Sequence, residues 1–104
     1  MYAVIFRATI NELDEGYFET AQRMRDLAIN QYGCTEFVAV TEGIHEVTIS
    51  YWENAEQIAK WKQDADHLAA QQEGRSHWYH SYKVEIVEIV RKYEMKPDSQ
   101  LEKL

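Results

Sequence analysis

The order of hydrophobic periods along this chain constrains its fold more than any other feature. Apolar and β-branched residues run at strand length over Tyr2–Thr9, then recur at helical spacing from Glu15 to about Gln31. Two strands follow, Cys34–Thr41 and Ile44–Trp52. A second helical period covers Ala55 to about Glu73, and a last strand covers His80–Tyr93. Strand, helix, strand, strand, helix, strand is the split βαβ order. It predicts an α+β ferredoxin-like βαββαβ sandwich, a four-stranded antiparallel sheet with two helices on one face. With 104 residues, the chain has room for one such core. Residues 1–93 are read as the domain and 94–104 as a C-terminal extension, mostly polar and holding the single proline, Pro97.

Local signals support these boundaries. Asn11–Asp14 supplies turn chemistry, with Asp14 as N-cap and Glu15 in the first turn, where the helix dipole favours an acid. Tyr17, Ala21, Met24, Leu27 and Ala28 form the apolar stripe of the first helix, and Gly33 is expected as its left-handed C-cap. Glu42-Gly43 fits a tight hairpin turn. Asn54 with Gln57 has the spacing of a capping box ahead of the stripe Ile58, Trp61, Ala65 and Leu68, and Gly74 is a plausible stop. In the last strand the apolar phase slips between Ile86 and Val87. A bulge there or burial on both faces accounts for the slip.

Two helices cover only one face of a four-stranded sheet, yet both faces are apolar. Val4, Phe6 and Ala8 oppose Ala3 and Ile5; Phe37 and Ala39 oppose Val38 and Val40. An apolar face of that size needs a partner, and a second copy in two-fold symmetry is the simplest. A homodimer through the helix-free face is therefore expected.

Charge and composition exclude several roles. A formal net charge of -7, from 18 acidic and 11 basic residues, leaves no basic stripe for nucleic acid and no attraction to an anionic membrane. Cys34 is the only cysteine, so no intrachain disulfide forms, and its setting between Gly33 and an apolar strand is that of a small buried hydrophobe. The apolar start Met1–Arg7 is too short for a signal peptide, so a cytoplasmic location is expected. There is no G-x-G-x-x-G, P-loop, H-E-x-x-H or nucleophile elbow. His77 and His80 lie three apart at the entrance to a strand, where such positions face opposite ways, so no metal site is expected.

What remains is an ordered aromatic set. Ser50-Tyr51-Trp52, Trp61, His67, Ala70-Gln71, Gly74-Arg75, Trp78-Tyr79 and Tyr82, together with Gly33-Cys34, resemble the antibiotic biosynthesis monooxygenase superfamily of dimeric α+β barrels. The resemblance spans about Tyr2 to Tyr93 and points to a stand-alone, uncharacterised bacterial branch. It implies a small-molecule oxygenase without flavin or metal, acting on an aromatic or enolic substrate between sheet and helices. Relatives also include haem-degrading enzymes, which use an asparagine on the first strand, a tryptophan on the second helix and a histidine ten residues later. Trp61 matches the tryptophan, but Phe6 and Gln71 stand at the other two positions, so haem is disfavoured and no cofactor is expected, unless a shifted helix lets His67 substitute for the histidine.

In this reading His67 or Tyr82 is the base or hydrogen-bond donor. Tyr51, Trp52, Trp61, Gln71, Arg75 and Trp78 bind the substrate. Each has a plainer alternative. His67 lies about 140° from the centre of the apolar stripe of its helix and reaches a pocket only if the helix breaks near Gln63-Asp64. Trp61 on the stripe also serves as core. Tyr51 and Trp52 point to opposite faces, so only one of them can line a pocket. Tyr82 also suits the dimer seam, Arg75 a surface ion pair, and Asn54 a helix cap. A binding module with the same pocket and no chemistry is the rival function.

Overall fold

β-branched and aromatic residues at alternating positions set up the first strand, β1 (Tyr2–Ile10), and the computed structural model places it inside the sheet, paired on both sides. The structure describes residues 1–71 and 75–97. After β1 come α1 (Glu15–Asn30), β2 (Glu36–Glu42), β3 (His45–Trp52), α2 (Ala55–Gln71), the short α3 (Arg75–Trp78) and β4 (Tyr79–Glu88). The sheet order is β2-β3-β1-β4 and every pairing is antiparallel. This is the ferredoxin-like sandwich that the hydrophobic periods predict.

The caps are where the sequence puts them. The Asp14 side chain accepts the backbone N–H of Tyr17 at 2.9 Å. Asn54 and Gln57 exchange hydrogen bonds, the Asn54 side chain accepting from Gln57 N–H at 2.9 Å and Gln57 Oε1 accepting from Asn54 N–H at 3.4 Å. The C-cap of α1 is Gln31 in right-handed geometry, not Gly33. Gly33 takes the positive φ of +84° two residues later, turning the chain toward β2. The hairpin loop is Gly43-Ile44, one residue beyond the expected pair, since Glu42 still pairs with His45. Gly43, at φ +60°, provides the left-handed position such a loop needs.

One face of the sheet carries Val4, Phe6, Phe37, Ser50 and Trp52 toward the helices. The core beneath them gathers Val4, Ala28, Cys34, Trp52 and Ile58, flanked by Tyr32 and Trp61. Trp52 is fully buried, with its indole N–H donated to Ser50 Oγ at 2.8 Å. Trp61 lies 5.2 Å from it, ring to ring. Cys34 is buried as expected, but it precedes β2 and does not belong to it.

Two open alternatives are decided and one expectation is corrected. α2 runs unbroken through Gln63-Asp64, because its Ala-, Gln- and Lys-rich interior holds no Gly or Pro to interrupt it. The register of β1 with β4 is regular through Ile86-Val87 and shifts instead between Thr9 and Ile10. The slip in apolar phase therefore involves no bulge at that point, and burial on both faces does not explain it either, since β4 is exposed along nearly its whole length. β4 also begins at Tyr79 and ends at Glu88, because Trp78 belongs to α3 and residues 89–97 carry no regular structure. Gly74 lies outside the described residues. No helix among the described residues is long and apolar enough to cross a membrane.

Candidate functional site

A cavity of about 620 Å³ lies between the helix-facing side of the sheet and helices α1 and α2. That size suits a small organic ligand. Its walls are mostly apolar and aromatic: Phe6 and Val84 from the sheet, Phe37 and Trp61 at one end, Tyr17 and Trp78 at the other. Past β4, where Tyr82, Val84 and Ile86 stay exposed, the helices no longer cover the sheet. Alternation along β1 and β3 turns one side of each strand toward this space, and residues of α1 and α2 line it from above.

The buried carboxylate of the cavity is Glu46. Alternation along β3 puts it on the same side as Thr48, Ser50 and Trp52, and it is only 6% exposed. A buried carboxylate needs hydrogen bonds or a cation to replace its lost water. The Tyr17 hydroxyl donates to Glu46 Oε1, and the Tyr79 hydroxyl donates to Oε2 at 3.3 Å. Among the described residues no lysine, arginine or histidine pairs with it. Burial pushes the phenols of Tyr17 and Tyr79 well above the ordinary tyrosine value, and the Glu46 charge pushes in the same direction. Both therefore remain protonated donors, and together they fix the orientation of the carboxylate.

Aromatic contacts hold this group in place. Phe6 sits 5.3 Å from Tyr79 edge-on and 5.7 Å from Tyr82 stacked. Tyr17 packs edge-on against Trp78 at 5.4 Å. The Trp78 indole donates to Asp14 Oδ1 at 3.1 Å, and His77 Nε2 lies 3.5 Å from Asp14 Oδ2. The N-cap of α1 thus anchors the start of β4 and closes that end of the cavity. At the far end Arg25 stacks over Phe37 at 5.2 Å, Lys62 pairs with Asp66 at 3.2 Å, and the Trp61 indole donates to the Met24 carbonyl at 2.8 Å.

Of the residues singled out by sequence, Trp61, Trp78 and Tyr82 line this cavity. Trp52 and Tyr51 do not: Trp52 lies in the core beneath it, and Tyr51 faces the other side of the sheet. His67 is exposed on the continuous helix and is not part of the lining, since the break that would redirect it is absent. The side chains of Gln71 and Arg75 lie outside the described residues. Sequence reasoning passed over Glu46, Tyr17 and Tyr79. The available signal was the parity of β3, which sets an acid in line with the most buried tryptophan. Among the described residues no three His, Cys, Asp or Glu side chains converge as metal ligands do.

No protein-family model matches the sequence. The chain is 42% identical over 91 residues to the uncharacterised protein YqjZ of Bacillus subtilis, covering 86% of this chain and 80% of YqjZ. Among solved structures, SnoaB, a cofactor-independent oxygenase from Streptomyces nogalater, superposes with a TM-score of 0.69. Its sequence identity is 12%, over 88% of this chain and 94% of that one. A provisionally assigned antibiotic biosynthesis monooxygenase from Nitrosomonas europaea gives a TM-score of 0.66 at 17% identity, over 86% and 89% of the two chains.

Proposed function

We propose that this chain, which belongs to the family of YqjZ and has the fold of the antibiotic biosynthesis monooxygenase superfamily, is a small-molecule monooxygenase. The reaction takes place in the cavity between sheet and helices, without flavin, haem or metal. One observation carries the reading: an aromatic-walled cavity of substrate size has on its wall a buried carboxylate held by two phenols. An apolar enclosure with few convergent polar groups is the general form of a small-molecule site.

The substrate is an aromatic or enolic compound that already carries the reducing electrons. Loss of a proton leaves an electron-rich anion, which reduces O2 directly. For an enolisable methylene, two C–H bonds break and one C=O forms; O2 ends as that carbonyl oxygen and one water. The protein's part is to accept the proton, hold the ring and exclude bulk water. Tyr82, stacked on Phe6 at the open side, donates a hydrogen bond to the bound ring system in this reading, supported by its place in the cavity lining.

The test is oxygen uptake against a panel of hydroquinones and enolisable aromatic ketones, run with a chelator present. Labelled O2 should appear in the product, and cavity-blocking substitutions at Ala39 or Ala65 should abolish the uptake. A panel that binds without consuming oxygen favours a second reading, a ligand carrier. The exposed position of His67 speaks for that reading, since it removes one acid–base group from the cavity. A homodimer through the helix-free sheet face completes the proposal.

A further inference from the structure

The Glu46 cluster does more than fill space. A carboxylate this buried is costly unless something gains from it, and the same position in an apolar-walled cavity would pack as Leu or Met without that cost. Two phenols from different elements, Tyr17 on α1 and Tyr79 at the start of β4, hold its two oxygens. Each carboxylate oxygen has two acceptor sites, so two hydrogen bonds leave acceptor capacity on a group that borders the cavity. The cationic side chains in the lining, Arg25 and Lys62, stand with Phe37 and Trp61. Phe37 pairs with Ser50 and Thr41 pairs with Glu46, so the two ends are four residues apart along β3. At strand rise that is about 13 Å. The cavity therefore has a carboxylate end held by phenols and, at the other, Arg25 with the Lys62–Asp66 pair.

We propose that Glu46 receives the hydroxyl of the substrate and takes its proton. The substrate class is a flat aromatic or enolic compound with a free O–H at one end, inserted with that O–H toward Tyr17 and Tyr79. This rests on reading the cavity as a substrate site. In the step the substrate O–H bond breaks, its electron pair stays on the substrate oxygen and spreads into the ring, and the proton bonds to a Glu46 oxygen. No other reactant is needed. Tyr17 and Tyr79 are positioning residues that keep the carboxylate turned to the cavity.

Binding tests the assignment without any turnover. The probes are 2-naphthol and 2-methoxynaphthalene, the same rings with and without a donor, titrated by their own fluorescence. The native protein should prefer 2-naphthol by about tenfold or more, the size of a hydrogen bond to a charged group. In Glu46→Gln the preference should fall below about threefold, while Tyr79→Phe, which keeps the charge, should retain it. Thermal melts check that each variant is folded. Equal binding of the two probes to the native protein overturns the assignment but leaves the oxygenase reading standing. So does a preference that survives in Glu46→Gln. A clear preference with no oxygen uptake by any hydroxylated substrate overturns the oxygenase reading and leaves Glu46 as the ligand acceptor. If neither probe binds, both readings fall.

Discussion

Asp14 shows how one side chain serves two elements. It caps α1 through the Tyr17 N–H and accepts the Trp78 indole on the same oxygen, with His77 beside the other. The Tyr17 N–H is the main cause holding its carboxyl below the ordinary value of 3.8; burial opposes this, and Trp78 and His77 assist. A depressed folded value means that the stabilisation is complete above the ordinary value and is lost as pH falls through the folded one. Thermal melts taken from neutral to strongly acid pH should show this loss. Asp14→Asn keeps a good cap without the charge, so its melting temperature should fall less steeply with acid than that of the native protein. His67 offers a contrasting test. It is exposed on α2 outside the cavity lining, so His67→Ala should leave the turnover of any substrate unchanged. A drop of about 10²–10⁴ is the mark of a lost acid–base group and would return His67 to that role.

Between elements, the junction of α1 with β2 is tight enough to predict a substitution. Gly33 has φ +84°, and a Cβ there would stand 2.6 Å from Gln57 Nε2. Gln57 Oε1 accepts from the Glu53 and Asn54 N–H groups, so displacing Gln57 also disturbs the start of α2. Gly33→Ala should cost about 1–2 kcal/mol from the left-handed backbone alone. A urea midpoint lowered with unchanged slope would show it, and an unchanged midpoint would mean that the turn relaxes freely. Both helix starts were legible in the sequence because their caps are local, side chain to backbone across three residues. α3 was not legible, since a single turn this short is held by Trp78 reaching Asp14 from far along the chain. A break in α2, the condition for His67 to reach a pocket, has no support in the helix-forming residues of that segment. Glu46 shows the limit most clearly. Alternation states which face a residue takes, but only the packed helices decide that the face around Glu46 becomes a cavity.

At the scale of the molecule, the helix-free face remains to be covered. Register places Ile5, Val47, Ile49, Val38, Val40 and Val87 on it. Val40 is 58% exposed and Val38 41%. Charges on this face stand at both ends of β2, as Glu36 and Glu42, and on β1 and β4, where Arg7 meets Glu85 at 3.4 Å and Lys83 meets it at 3.7 Å. Between these charges Val38, Val40, Val47 and Ile49 form an apolar strip in the middle of β2 and β3. Beyond β4 the chain continues past Ile89, whose N–H is donated to the Met1 carbonyl at 2.9 Å, into a segment with Val90, Tyr93 and Met95 almost fully exposed. A flat apolar sheet and an apolar trailing segment on one chain suit a self-complementary two-fold interface, in which each copy covers the sheet of the other. Sedimentation at micromolar concentration should therefore give twice the chain mass. Val38→Glu with Val40→Glu places like charges within the seam and should halve that mass while leaving the melting cooperative. The cavity lies on the opposite side of the sheet, so the separated monomer should still bind a ring ligand. A native chain that sediments as a monomer at that concentration, or a double variant that remains dimeric, would locate the interface elsewhere.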